Sequence, residues 1–215
     1  MEGLFIGNDI IDIHSLSQHP RSGQPRFRNK TLSKSEIKWL LTSTNPAFDI
    51  WKLWALKESA YKCYFQQTRH RFFSPKKFIC QWEVDIPASE YDLAQVSTPS
   101  GIFFAKLYQK EHYLHALCSN SWEHLNRVIF QVFNIQSLNA NDLSCQLRAQ
   151  ALLMIAQQMN FLPEDLTWDD VLGFPQLMHG GQRLPYRVSL SHHGVWGAVG
   201  CSEEIEGINT GTNSV

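Results

Sequence analysis

Apolar residues recur along this chain with two periods, and the change from one to the other marks its elements. Residues 3–13, GLFIGNDIIDI, are rich in isoleucine and predict a strand interrupted by Gly-Asn. Residues 14–31 carry Pro20, Gly23 and Pro25 and read as loop. Ser33-Lys-Ser-Glu36 has the spacing of a capping box, so a short helix is expected to start near Lys34. Residues 47–65, AFDIWKLWALKESAYKCYF, predict a helix of about five turns, with Trp54, Glu58 and Lys62 recurring at i+4 on one face. A basic loop over 66–77 follows. Residues 78–86, 103–108 and 112–119 then read as strands of an antiparallel meander, with 128–133 as a further one. Residues 141–159 predict a second long helix, 186–191 and 195–201 a hairpin, and the last dozen residues a frayed tail.

The order is thus strand, long helix and sheet, then long helix and sheet again. Residues 107–119 and 190–202 align without gaps, identical at both ends, with an aromatic residue (Tyr113, Trp196) at the same place. The expected fold is α+β, built of two pseudo-symmetric lobes, each a long helix packed on a small antiparallel sheet. The first lobe is expected over 1–135 and the second over 136–215, together forming one catalytic unit.

Composition narrows the class. At 215 residues with 43% hydrophobic and 12% aromatic content, the chain can bury a sizeable core, and disorder is excluded as its main state. No apolar run reaches the length of a membrane span, and MEGLFIGNDI lacks the basic and apolar regions of a signal peptide, so a cytoplasmic protein is expected. Five scattered cysteines without a CxxC read as reduced thiols. The net charge of −1 argues for neither nucleic acid nor membrane, but it hides segregation. Residues 19–38 and 66–77 hold ten of the 19 basic residues and one acid, Glu36, which suits an anionic ligand or an acidic partner.

Three constellations can carry chemistry. Asp9 ends a Gly-Asn step in a strand, where a carboxylate either reaches a cleft or bonds its own turn; Asp12, three residues on, faces the other side of a regular strand. Glu58 and Lys62 either form a surface i,i+4 ion pair or face a site; with Lys57 they lie among Trp51, Trp54, Tyr61 and Tyr64, and solvated faces rarely carry so many aromatics. Ser189-Leu-Ser191-His192-His193-Gly194 ends a strand at a tight turn. Adjacent strand histidines point apart and no further ligand has zinc spacing; a G-x-S-x-G elbow is also missing. Hydrogen bonding of a phosphate by hydroxyl and imidazole remains, beside the alternative of a plain polar hairpin.

The set and its order resemble the 4′-phosphopantetheinyl transferase superfamily. Its signatures are G-x-D-I at Gly7–Ile10, W-x-x-K-E-S-x-x-K at Trp54–Lys62 and S-x-S-H at Ser189–His192, with Leu32–Glu36 similar to the segment ahead of the catalytic helix. The motif order resembles the short, trimeric holo-acyl-carrier-protein synthases, whereas the length resembles the two-lobed surfactin-type enzymes. Residues 143–200 resemble the first half of the latter, through Asp165–Trp168, Gly173–Leu177 and Ser189–Trp196, and residues 5–120 resemble the second. The chain is thus similar to a circular permutation of that family, an inexpensive rearrangement where pseudo-symmetric halves bring their termini together.

The resemblance implies transfer of 4′-phosphopantetheine from coenzyme A to a serine of an acyl or peptidyl carrier protein, with release of adenosine 3′,5′-bisphosphate. It implies that Asp9 and Glu58 ligate Mg²⁺ (or Mn²⁺), that Lys62 pairs with a phosphate, and that Ser191 and His192 hold coenzyme phosphate oxygens. Glu58 and Lys62 would be the catalytic pair. The acid two residues after the metal aspartate is Ile11 here, and the G-K-P lysine is Phe174; Arg148 and Arg183 are candidates to replace that lysine. The basic segments 19–38 and 66–77, the second with Arg69, Arg71, Phe72 and Phe73, are expected to dock the carrier protein, or else Arg69 or Arg71 meets a coenzyme phosphate in place of Phe174. Both motif-bearing halves lie in one chain, so a monomer is expected. The alternatives are another Mg-dependent phosphoryl or nucleotidyl transferase, and a non-catalytic module that binds carrier protein or coenzyme A.

Overall fold

A computed structural model describes residues 3–18, 24–83, 90–135 and 140–204. Strand β1 (Ile6–Asp12) leads into helices α1 (Ile13–Gln18), α2 (Pro25–Thr31), α3 (Lys34–Leu40) and α4 (Pro46–Thr68). Strands β2 (Ile79–Trp82), β3 (Asp92–Thr98), β4 (Gly101–Gln109) and β5 (Tyr113–Ser119) complete an antiparallel sheet of order β1-β5-β4-β3-β2. Helix α5 (Trp122–Arg127) links it to β6 (Ile129–Asn134), and helix α6 (Ala140–Met159) follows. Strands β7 (Leu166–Asp169), β8 (Gln176–His179) and β9 (Gln182–Arg183) form a small sheet; β10 (Tyr186–His193) and β11 (Trp196–Glu203) form one with β6, in the order β10-β11-β6.

The two larger sheets share one plan. In each, the strand that precedes the long helix (β1, β6) pairs with the second strand of the hairpin that follows it (β5, β11). The two aligned segments are these hairpins, and Tyr113 and Trp196 meet with ring centroids 5.0 Å apart. The α+β architecture of helices on antiparallel sheets is therefore as expected.

Four local expectations are corrected. Much of 14–31 is helical: Pro25 occupies the first turn of α2, where a missing N–H costs nothing. Residues 92–98 form a strand although Asp, Gln, Ser and Thr dilute its apolar alternation. Residues 122–127 form a helix capped by Ser121. The segment 128–133 joins the second sheet through β11 and not the meander, so the 1–135 stretch contributes a strand to its neighbour. Residues 84–86 of the expected second strand, the start of the first basic segment and the tail from 205 lie outside the described residues.

Local chemistry explains α4, the scaffold of the candidate site. Asn45 accepts from Phe48 N–H (3.3 Å), Pro46 starts the helix, and Arg69 stops it in a left-handed conformation at φ 62°. Ile50, Leu53, Leu56, Ala60 and Cys63 are buried in the core of the first lobe, while Glu58 and Lys62 stay on a half-buried face. A Cβ at Gly7 would overlap the Ser59 carbonyl, so glycine is what lets β1 lie directly against α4. The second core gathers α6, Leu166, Leu177, Val188, Val199 and Cys201. No helix among the described residues is long and apolar enough to cross a membrane.

Candidate active site

β1 pairs with β5 along one edge only; its other edge faces α4 and β10, and an unpaired edge needs partners. Side chains supply them. Gln66 Oε1 accepts from Ile6 N–H (3.2 Å) while its Nε2 donates to Val188 O (3.1 Å). Ser189 Oγ accepts from Asn8 N–H and donates to Asn8 Oδ1, both at 2.9 Å. His193 Nδ1 accepts from Asp12 N–H (3.0 Å), and Arg187 Nε donates to Leu4 O (3.0 Å). Lys62 Nζ donates to Asn8 O (2.7 Å) and to Leu190 O (3.3 Å). Alternate residues of β10 thus meet alternate residues of β1, and the two lobes are joined by a polar seam.

Within that seam the sequence motifs converge. Asp9 projects from β1 toward α4, where Lys62 Nζ lies 3.3 Å from its Oδ1. The bland i,i+4 pairing of Glu58 with Lys62 is replaced by this contact between elements. Burial lifts the Asp9 carboxyl to about 6, against the pull of Lys62. Glu58 is lifted to about 7 by burial and then by the charge of Asp9, with Lys62 opposing. Two carboxylates are therefore held close enough to repel one another, and one ammonium only partly offsets them.

That imbalance fits a hard divalent cation. Such an ion takes one or two carboxylates plus oxygens from water or phosphate, and Asp9 and Glu58 are a donor pair of that kind. Among the described residues no cluster of three or more His, Cys, Asp or Glu side chains forms.

Ser191 is buried on β10 with its hydroxyl unpartnered among the described residues, which leaves it a free donor and acceptor inside the seam. His192 is exposed at the end of β10, on the face opposite His193. Arg148 is held by Asp170 at 2.8 Å beside the Trp168 ring, within the second lobe. Arg183 pairs with Glu204. Arg69 stacks 4.2 Å from the centroid of Phe174, and Arg71 lies over Phe65, itself edge-on to Phe174. Phe73 is packed against Tyr61, Trp54 and Phe78, while Phe72 is exposed.

The motifs leave the roles of several residues around this site unstated. Lys57 turns inward to Glu36 while its neighbour Glu58 turns outward. Asp12 is buried and accepts from His14 N–H (2.9 Å) and Val195 N–H (3.2 Å), on the side away from Asp9, as the strand alternation predicts. Gln66 and Arg187 each bridge the lobes, and only the shared i, i+2 face of Arg187, Ser189, Ser191 and His193 hints at it.

The sequence profile described as the 4′-phosphopantetheinyl transferase superfamily matches residues 5–118, which run from the start of β1 to the end of β5 and include both carboxylates and Lys62. A search of curated proteins finds no match. The matched stretch is more than half of the chain and carries the G-x-D-I and W-x-x-K-E-S-x-x-K residues that the fold brings together; the chain belongs to the 4′-phosphopantetheinyl transferase superfamily.

Proposed function

We propose that the protein transfers 4′-phosphopantetheine from coenzyme A to a serine hydroxyl of an acyl or peptidyl carrier protein, releasing adenosine 3′,5′-bisphosphate. The observation that carries this reading is the convergence of Asp9, Glu58 and Lys62 from two elements, with Lys62 also reaching the backbone of β10 at Leu190. Asp9 and Glu58 would hold Mg²⁺ or Mn²⁺, which when bound neutralises charge on the pyrophosphate oxygens. Lys62 adds a fixed positive charge there, kept in place by Asn8 O and Leu190 O. Ser191 Oγ and His192 donate to further phosphate oxygens. Glu58, with its carboxyl near neutrality, accepts the proton of the attacking serine as the bond to the β-phosphorus forms and the bond to the leaving phosphate breaks.

The carrier protein is the acidic partner. Arg26, Lys30, Lys34 and Lys38 are exposed on α2 and α3 around a depression of about 310 Å³ lined by Pro25, Leu32, Ile37 and Leu41, which offers charge and an apolar anchor together. The stretches 1–135 and 136–215 act as one unit, because the cleft uses β1, α4 and β10 at once, and a monomer suffices. The permuted order of the two halves is part of the same reading.

Adenosine 3′,5′-bisphosphate release tests the proposal. Release that requires both a divalent cation and an apo carrier protein supports it. Release without any carrier favours another phosphoryl or nucleotidyl transfer, and none with any carrier favours a binding module.

A further inference from the structure

Two sheet edges face each other across the seam without forming a ladder. β1 ends the first sheet and β10 ends the second, and residue numbers rise together along both, from Leu4 with Arg187 to Asp12 with His193. Direct backbone pairing here would join the two sheets into one. Side chains take the edge groups instead, and helix α4 supplies two of them. Lys62 Nζ spans the strands through Asn8 O and Leu190 O. Four residues on, Gln66 does the same through Ile6 N–H and Val188 O. Four residues of helix rise about 6 Å, and the two-residue step from Asn8 to Ile6, or from Leu190 to Val188, covers about 6.6 Å of strand. Lys62 and Gln66 are therefore successive rungs of one ladder, set two residues apart on each strand.

The two rungs hold different groups. Lys62 bridges two acceptors, which cannot bond each other, and draws both carbonyls toward its charge. Ile6 N–H is a donor and Val188 O an acceptor, so without a side chain between them the strands can close until they pair. Gln66 is buried, and its amide fits between the two groups in one orientation only, with Oε1 on the N–H and Nε2 on the carbonyl. The amide thus fixes how far the strands follow the pull of the ammonium one turn away. The lobes stay joined without it, through Ser189 on Asn8, His193 on Asp12 and Tyr113 against Trp196.

We propose that Gln66 is a positioning residue: by holding Ile6 N–H and Val188 O at a fixed spacing it sets the width of the seam, and so keeps Lys62 Nζ against Asp9 and Ser191 at its distance from Asp9 and Glu58. The role rests on the transferase reading above and adds a residue that lies in none of the three motifs. Lys62 Nζ stands 3.3 Å from Asp9 Oδ1 only while Asn8 O and Leu190 O remain where the neighbouring rung leaves them. A shift of about 1 Å at reacting groups is enough to cost about a hundredfold in rate.

Steady-state release of adenosine 3′,5′-bisphosphate from coenzyme A and an apo carrier protein tests it, per mole of folded enzyme. Gln66→Met fills the same space with neither hydrogen bond, and Gln66→Asn keeps the amide on a side chain one methylene shorter. Asp12→Ala unties another contact between the lobes, at Val195 N–H, without touching Lys62, and serves as the stability control. The expected result is a fall in kcat of about tenfold to a hundredfold in both Gln66 variants, with the KM for carrier protein close to wild type. Asp12→Ala should keep its kcat. Mg²⁺ alone should still raise the melting temperature of both Gln66 variants, because Asp9 and Glu58 belong to the first lobe. Wild-type kcat in Gln66→Met and Gln66→Asn overturns the inference while leaving the transferase reading intact. So does an equal loss of kcat in Asp12→Ala, or a loss of the Mg²⁺ response along with kcat, since either makes the residue a general support of the fold. A wild type that releases no adenosine 3′,5′-bisphosphate with any carrier overturns the transferase reading, and this role with it.

Discussion

Lys57 Nζ and Glu36 Oε1 are 2.7 Å apart in an ion pair closed to solvent on both sides. The same ammonium donates to Pro75 O (2.9 Å) and Phe78 O, and Glu36 also accepts from Cys80 N–H (2.8 Å) and, as a capping box, from Ser33 N–H (2.7 Å). The pair ties α3, α4 and the turn before β2 into one body beneath Glu58. Removing one partner strands a buried charge. Lys57→Met should lower stability by about 3–5 kcal/mol, and Glu36→Leu by a similar amount, while the double variant loses less than the sum. Denaturant titration of the four proteins checks this; full additivity would mean that the pair is not coupled.

Asp12 and Gly194 hold the turn between β10 and β11 onto β1. Gly194 adopts φ 58°, and a Cβ there would overlap Asp12 Oδ2. Asp12→Ala removes the acceptor of the His14 and Val195 N–H groups and should cost about 1 kcal/mol, with Gly194→Ala at least as damaging. The turnover of the folded fraction of Asp12→Ala should stay close to wild type, because the side chain points away from Asp9. Thermal melts paired with kinetics on the same samples separate the two effects.

Glu58 is held in a site that disfavours its charge. Its carboxyl rises from 4.5 to about 7 on folding, so between those values the native state binds more protons than the unfolded chain. Unfolding free energy therefore falls as pH rises through that window, by about 1–2 kcal/mol. Glu58→Gln removes this contribution. The variant should melt higher than the wild type at pH 8 by a few degrees, with a smaller gap at pH 5. Mg²⁺ should raise the wild-type melting temperature at pH 8 and leave that of Glu58→Gln nearly unmoved. A variant that gains as much from Mg²⁺ as the wild type would remove Glu58 from the metal site.

His115 has the opposite sign. Both ring nitrogens are buried without a partner among the described residues, and burial drives the group down to about 3. The unfolded chain binds the extra proton between about 3 and 6.5, so stability rises with pH there, with a slope of at most about 1.4 kcal/mol per pH unit. His115→Phe keeps the ring packed beside Tyr108 and Phe130 and removes both orphan nitrogens. It should stabilise the protein most at acid pH, which denaturant titrations between pH 4 and 7 would reveal.

What the sequence discloses follows from which signals are local. Helix α4 is legible because its apolar stripe and its motif are contiguous, and the β10–β11 hairpin because two short strand-like runs flank the turn at Gly194. Helix α2 is hidden because PRFRNKT has one large apolar residue, Phe27, which packs on Trp51 and Trp54 from elsewhere in the chain. Asp9 and Glu58 can be named from motif order, but their mutual repulsion depends on Gly7 admitting β1 to α4. His193, adjacent to the motif histidine, closes the edge of β1, a role fixed by strand register. Arg187 lies in no motif; its partners Leu4 and Glu204 are remote in sequence.

Mass spectrometry of apo carrier proteins after incubation with this protein, coenzyme A and Mg²⁺ tests the central claim most directly. The account predicts that at least one carrier gains the mass of a single phosphopantetheinyl group on its serine, and that Asp9→Ala and Glu58→Gln each abolish most of that gain. Their losses should not add, because both act through one ion. Unmodified carriers throughout the panel, with coenzyme A bound and the fold intact, would contradict it.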